Sequence, residues 1–366
     1  MSQEPELLTT ALTDAHAAEG AHLVDFAGWR MPLRYTSQLA EHQAVRERAG
    51  LFDLSHMAQI FVSGTDSAEA LGRCFISPVG AMSIGRAKYS MLTAADGGIL
   101  DDLIIYRLAE DDFLVVANAS NRDVVVDALT KRCGEVSGDI TVADRTLQRS
   151  IIAIQGPAAP DILTAAGLEE GTELRYYAIC AGDGENSDVL IARTGYTGED
   201  GFELYLDRGQ TADMWARLRE AGESYGLALC GLAARDTLRL EAGMPLYGNE
   251  LNADLSPADV GMGRMVKLDH DFVGRDALAT REARYALIGL SGEGRRAARA
   301  GSRVLCDGED IGEVTSGVLS PTLGHPIALA RVTREAPEVG TEVSVDVRGT
   351  AQPMTVTALP FYSRKK

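Results

Sequence analysis

Apolar positions fall mostly into short runs broken by Gly, Pro, Asn and Asp, and helical periodicity is confined to isolated stretches between them. Residues 23–33 mix apolar and turn-forming positions. Thr36 or Ser37 then caps a predicted helix whose apolar side carries Leu39, Ala40 and Val45 and which stops at Gly50. A strand is expected at 60–62 and a short helix at 65–74. Residues 87–92 and 97–107 are apolar runs joined by the turn 93–96, an antiparallel hairpin pattern that brings Tyr89 near the start of the second run. A strand at 113–117 leads through Asn118-Ala119-Ser120-Asn121 into a helix at 122–132, with Asn121 as its cap. Hairpins rather than strand–helix–strand crossovers join these runs, so the class is α+β.

A second cycle follows. A strand at 150–155 stops at Gly156-Pro157, a helix occupies 159–166, and a strand at 189–194 runs into Gly195-Tyr196-Thr197-Gly198-Glu199-Asp200-Gly201. Three glycines in that block signal close backbone approach, and in the next strand, 202–206, Glu203 faces opposite to Phe202 and Leu204. No Gly-Lys-Ser/Thr follows, so this is not a phosphate-binding P-loop. Helices are predicted at 212–224, with Met214, Trp215 and Leu218 inward, and at 232–242, with Arg235 and Arg239 on one face. From Tyr285 the pattern changes to alternating runs at 286–290, 302–306, 311–315, 327–332, 342–347 and 354–359, which predict a small C-terminal barrel or sandwich.

Composition narrows the function. At 366 residues and 45% hydrophobic, the chain has material for two or three domains. Its formal net charge of -18 repels phosphate backbones and anionic lipid, which argues against nucleic acid and membrane partners. Cys74, Cys133, Cys180, Cys230 and Cys306 are scattered without metal-ligand spacing, so they read as reduced thiols and no metal is expected. Residues 1–10 lack the features of a signal or transit peptide, and no apolar run suits a membrane helix, so a cytoplasmic location is expected.

Candidate chemistry centres on Gly97-Gly98-Ile99-Leu100-Asp101-Asp102. Strand neighbours point to opposite faces, so one aspartate is expected at solvent or in the turn and the other in the interior, where a carboxylate needs a partner or a chemical role. An Asx turn explains the same residues structurally. His56 is read as a structural histidine or a catalyst, and Met57 as core or pocket wall. Arg295, Arg296 and Arg299, at the entrance to the C-terminal region, form either a solvated face or an anion or docking patch.

The ordered blocks DFAGWRMPLRYTSQ, GLFDLSHM, YSML, GGILDDLIIYR, NASN, GYTGEDGFELY, GLAARDTLRLEAGMPLYGNE, FVGRDAL and GEVTSGVLSPTLGHPIALA resemble the T-protein family of the glycine cleavage system, the aminomethyltransferases, over nearly the whole chain. The resemblance implies a three-domain cloverleaf: a folate-binding catalytic body of two interleaved α+β antiparallel-sheet subdomains over 1–280, and a C-terminal β-barrel over 281–366. It implies transfer of the methylene of an S-aminomethyl-dihydrolipoyl group, carried by the partner H-protein, to tetrahydrofolate with release of ammonia. By motif position it places the functional carboxylate at Asp102, which leaves Asp101 to the turn. Folate-contacting positions fall at Tyr89, Asn118, Tyr196, Glu203 and Arg235, and more loosely at Met57 and Tyr362. Arg264 stands where many relatives carry a tryptophan, and with Lys267, Arg295, Arg296 and Arg299 it forms the candidate face for the H-protein.

The residue types suit that chemistry. A carboxylate such as Glu203 accepts the paired N–H donors of a pterin edge, and Arg235 suits a carbonyl or carboxylate. Tyrosines offer flat faces with a polar tip. A carboxylate near the attacking folate nitrogen relays its proton. Three other readings compete: the folate domain of a dimethylglycine or sarcosine oxidase, an iron–sulfur maintenance protein, and a folate-binding scaffold without turnover. The first is usually fused to a flavoprotein, and no dinucleotide Gly-x-Gly-x-x-Gly follows a strand here. The second carries a cysteine in its Lys-Gly-Cys-Tyr-Thr-Gly-Gln-Glu block, where this chain has Thr194-Gly195-Tyr196.

Overall fold

The computed structural model describes residues 6–136 and 138–364, so the first part of the segment read for a leader lies outside the described residues. Two antiparallel-rich sheets face each other. The first has five strands in the order Ala87–Thr93, Ile99–Ala109, Asp112–Ala117, Ala58–Ser63 and Thr141–Asp144. The second has six, in the order Ile179–Ala181, Leu190–Ala192, Gly201–Asp207, Arg149–Gln155, Gly50–Asp53 and Ala228–Leu229, the last pair parallel. Helices Ser67–Cys74 and Arg122–Cys133 bury their apolar sides on one face of the first sheet, with Ile60, Val62, Leu103 and Ile105. Helices Ala159–Ala165 and Thr211–Gly222 do the same for the second, where Met214, Trp215 and Leu218 pack on Ile152, Phe202 and Leu204. The helix-free faces meet in a third core that includes Phe52, Tyr106, Leu114, Ile151 and Tyr205. Each central strand is therefore buried on both faces, and strand alternation assigns its side chains to one core or the other.

The remaining strands close a six-stranded barrel, Tyr285–Gly292, Pro326–Thr333, Glu309–Leu319, Arg303–Cys306, Glu342–Val347 and Thr350–Thr357, whose last strand pairs with the first. Closure leaves no sheet edge exposed. Helix Leu232–Glu241 joins barrel to body. Its Arg239 guanidinium donates to Glu250 (2.9 Å) and to Ser316 of the barrel (2.8 Å), and Glu241 accepts from Thr322 (2.7 Å) and from Ser320.

Two expected helices differ in detail. Ser37 does cap the helix Gln38–Glu47 through Ala40, but Leu39 and Ala40 face solvent; the buried side carries Glu41, His42, Ala44 and Val45. Glu41 is inside because its carboxylate accepts from the backbone N–H of Tyr35, Thr36 and Gly231, which tie the hairpin His22–Phe26/Trp29–Arg34 to the start of Leu232–Glu241. Asn121 precedes the helix Arg122–Cys133 without capping it. Its side chain is committed to Asp101 instead.

Candidate active site

A cavity of ≈ 270 Å³ opens between the two sheets. Its floor comes from strand Ile99–Ala109, where the register skips from Leu92↔Asp101 to Thr93↔Ile99, so Leu100 is the extra residue of a bulge. Beyond the bulge alternation is regular. Asp102, Ile104 and Tyr106 face the cavity side, while Asp101, Leu103 and Ile105 face the helices. The Gly97-Gly98 turn that aims this strand is pressed against the chain: a Cβ on Gly98 would lie 2.0 Å from the Ala253 carbonyl oxygen.

Asp102 is held from both sides. Tyr89, diagonal to it on the neighbouring strand, donates its hydroxyl to Oδ2 (2.9 Å), and Asn118 Nδ2 donates to Oδ1 (2.9 Å). No salt bridge reaches this carboxylate among the described residues. Burial pushes the Asp102 carboxyl up to about 6, against the lowering hydrogen bonds from Tyr89 and Asn118. A carboxylate in that range exchanges protons near neutral pH.

The opposite wall carries Glu203. The sharp turn before it is shaped around Gln155, whose side chain donates to the Thr194 carbonyl and accepts from Thr197 Oγ1; a Cβ on Gly195 would lie 2.0 Å from Gln155 Oε1. Gln155 likewise excludes a Cβ on Gly201, while Gly198 sits at φ 81°, a left-handed conformation that favours glycine. Glu203 Oε2 accepts from Thr194 Oγ1 (2.6 Å), Tyr205 (2.9 Å) and Tyr106 (3.3 Å), whereas no protein donor reaches Oε1 among the described residues. Beside it, Arg235 lays its guanidinium 4.6 Å from the Tyr196 ring centroid and 3.6 Å from Met57 Sδ, without a carboxylate partner in hydrogen-bond range among the described residues. Burial draws its pKa down from the ordinary guanidinium value. Tyr196 is fixed by donating its hydroxyl to the Pro245 carbonyl.

Met57, Tyr89, Asp102, Asn118, Tyr196, Glu203 and Arg235 thus line one cavity. Tyr362 is not among its lining residues: its ring lies under the Arg46 guanidinium (4.0 Å), and its backbone N–H donates to the Glu241 carbonyl. Arg299 lines a wider outer cleft of ≈ 810 Å³ that shares Tyr196, Arg235 and Leu246 with the cavity. Arg295 and Arg296 are exposed. Arg264 and Lys267 are also exposed, just beyond the cavity residue Met262, and no hydrogen bond or ion pair joins them to the 295–299 run among the described residues. His56 is buried against Phe26 at 5.4 Å and drawn down to about 3 by burial and by Arg235, a neutral packing residue.

Asp101, the first of the pair, corrects the expectation that it serves the hairpin turn or solvent. It is 0% exposed and accepts from Asn118 and Asn121; the turn's own bond is Gly98 N–H to Asp96. Sequence reasoning missed Tyr106, Tyr205, Tyr177 and the wall Met244-Pro245-Leu246. Period-two counting from Asp102 reaches Tyr106, and from Glu203 reaches Tyr205. Tyr177 sits at φ 60°, a left-handed conformation with no sequence signal in a tyrosine.

Among the described residues no His/Cys/Asp/Glu group is placed to hold a metal ion, and no helix is long and apolar enough to cross a membrane. Residues 12–270 match the GCVT N-terminal domain family, and residues 286–363 the glycine cleavage T-protein C-terminal barrel domain. The chain is 53% identical over 370 residues to an aminomethyltransferase of Streptomyces coelicolor (99% of each chain). It is 40% identical to an aminomethyltransferase of Bacillus subtilis (98% of this chain, 100% of the relative). The crystal structure of the glycine cleavage system aminomethyltransferase T from Bartonella henselae superposes with a TM-score of 0.90 at 37% identity, over 97% of this chain and 98% of that one.

Proposed function

The chain belongs to the glycine cleavage T-protein family, folate-dependent one-carbon transferases, and from that premise we propose that it moves the methylene of an S-aminomethyl-dihydrolipoyl H-protein onto tetrahydrofolate. The observation that carries the reading is Asp102: a half-buried carboxylate, without a salt bridge among the described residues, held near pKa 6 at the floor of a cavity walled by tyrosines. The body over 1–280 binds the folate, and the barrel over 281–366 braces helix Leu232–Glu241, which carries Arg235.

Tetrahydrofolate fits the cavity's donors and acceptors. Glu203 Oε1 is the acceptor for paired N–H groups of the pterin, Tyr89, Tyr177 and Tyr196 offer ring faces, and Arg235 meets a carbonyl or carboxylate oxygen. In the reaction the C–N bond of the aminomethyl group breaks and a folate nitrogen takes the carbon. The C–S bond to the lipoyl arm breaks as the other folate nitrogen bonds the same carbon and closes the ring. The two folate N–H protons end on the ammonia and the thiol, so the products are ammonia, dihydrolipoyl H-protein and 5,10-methylenetetrahydrofolate. Asp102 takes the proton of the attacking nitrogen and stabilises the iminium-like charge that develops as the amine departs. Arg264, Lys267, Arg295, Arg296 and Arg299 supply positive charge for the encounter with the H-protein, and a cytoplasmic setting completes the proposal. The test is direct: aminomethylated H-protein plus tetrahydrofolate must yield equimolar ammonia and methylenetetrahydrofolate, and failure of both to form overturns the reading.

A further inference from the structure

Asp101 does not line the cavity, yet it is tied to Asp102 by a single amide. Asn118 Nδ2 lies 2.8 Å from Asp101 Oδ1, 2.9 Å from Asp102 Oδ1 and 3.0 Å from the Asp102 carbonyl oxygen, and the Asn118 backbone N–H donates to Asp101 Oδ2 at 3.0 Å. Asn121 Nδ2 donates to Asp101 Oδ1 from the helix side at 2.5 Å. Three acceptors therefore surround one side of the Asn118 amide. Turning the amide over would set its oxygen against three oxygens, so the NH2 group is held on that side and Oδ1 is left as the group presented to the cavity. With both hydrogens of Nδ2 committed, the only hydrogen-bonding capacity Asn118 offers a ligand is as an acceptor.

We propose that Asp101 is a positioning residue: it locks the Asn118 amide so that Asn118 Oδ1 and the Asp102 carboxylate form a paired acceptor for a nitrogen bearing two or more hydrogens, or for a cationic nitrogen, at the reacting centre. The proposal rests on Asp102 being the reacting carboxylate. The ligand class is the amine end of the transferred group, because a carbonyl or anionic oxygen placed there would meet two acceptors. Strand alternation makes this arrangement possible: consecutive residues reach opposite faces, and Asn118, at the end of the next strand but one residue from the helix-side turn, wraps the edge to touch both. The other titratable groups facing the pair are Tyr89 from the adjacent strand and Tyr196, Tyr247 and Glu250 from the opposing elements.

The experiment compares Asp101→Asn with Asp102→Asn and wild type for ammonia release, folate affinity and the pH–rate profile. Asp101→Asn removes the charge that fixes the amide and permits it to turn over. Turnover is expected to fall about tenfold to a hundredfold through misplacement of the acceptor, with folate affinity changed less than about threefold, since Asn118 is one of several ligand contacts in the cavity. The acid limb of the profile is expected to move to higher pH, because a turned amide withdraws the Asn118 hydrogen bond that lowers the Asp102 pKa, a shift that mere loss of packing would not cause. Wild-type turnover and an unmoved acid limb in Asp101→Asn, alongside an inactive Asp102→Asn, would overturn the positioning role alone. Full activity in Asp102→Asn would instead overturn the assignment of the reacting carboxylate. Should Asp101→Asn not fold, the wild-type side-chain amide of Asn118, assigned by NMR through its loss in Asn118→Ser, decides: the proposal requires slow exchange and a shift that titrates with the aspartate pair, and fast, pH-independent exchange excludes it.

Discussion

The two ends of the cavity each present a carboxylate, and their surroundings divide the work. At the Asp102 end both oxygens accept a hydrogen bond, from a phenol and an amide, and burial holds the carboxyl near 6 without a salt bridge among the described residues. At the Glu203 end three hydroxyls crowd onto one oxygen, the other is left for a ligand, and Arg235 shares the wall. The first environment favours a group that changes protonation, and the second a group that holds still and accepts. Residue type alone does not distinguish the two; the number and direction of the donors do.

The sharpest break of this contrast is at the protonating end. Asp102→Asn keeps the shape but removes the basic site, and turnover is expected to fall roughly 10²–10⁴-fold with folate affinity little changed. Stopped assays for ammonia together with calorimetry of folate binding check both halves. The holding end should respond in the opposite sense. Glu203→Ala is expected to weaken tetrahydrofolate binding by about 1–3 kcal/mol. Tyr106, Tyr205 and Thr194 keep one another as partners, at 3.0 and 2.9 Å from the Tyr106 hydroxyl, so the loss falls on the ligand rather than on the fold. Unchanged affinity by calorimetry would remove Glu203 from the site.

Stability against pH separates the ends again. The folded pKa values of Asp101 and Asp102 are raised, to about 7 and about 6, by burial first and for Asp101 next by the charge of Asp102. Their contribution is therefore fully present below the unfolded value near 3.8 and is lost as pH rises through 6 to 7. Glu241 has the other sign. Burial opposes its ionisation, but His42, Ser320 and Thr322 hold it at about 2, so its contribution is present above 4.5 and fades as pH falls toward 2. Wild type is thus expected to gain stability between pH 8 and pH 5, by about 1–2 kcal/mol from Asp102 after screening. In Asp102→Asn that part of the gain should vanish, which thermal melts at the two pH values will show.

Much of this was legible before any coordinates. The hairpin that brings Tyr89 to Asp102, the inward side of helix Thr211–Gly222 and the all-β C-terminal domain follow from local periodicity, while the choice of a barrel over a sandwich comes from the family resemblance. Seven of the eight positions carried over for ligand contact and catalysis line the cavity, with Tyr362 outside it. What stayed hidden is long-range. Nothing local says that Glu41 is buried by three backbone donors, one of them nearly two hundred residues away, or that Asn121 serves Asp101 rather than its own helix. Tyr106 and Glu203 lie on strands of different sheets, so their contact exists only once the helix-free faces meet.

The smallest effect belongs outside the cavity and tests whether its charges are insulated from solvent. Arg296 is exposed and forms no ion pair among the described residues, so its charge acts through water and is screened by salt over about a Debye length. If the 295–299 run guides the H-protein, Arg296→Glu should raise the KM for H-protein a few-fold at low ionic strength, on the order of 1 kcal/mol or less, and the difference should shrink toward zero as salt is added. The buried carboxylates predict the reverse. Asp102 and Glu203 sit between packed sheets, so the kcat defect of Asp102→Asn and the folate defect of Glu203→Ala should persist across the same salt series. Kinetics of the three variants from low to high salt check this together. A KM for H-protein in Arg296→Glu equal to wild type at low salt removes the run from the docking face, and a kcat defect in Asp102→Asn that fades with salt would mean that the acid end is open to solvent after all.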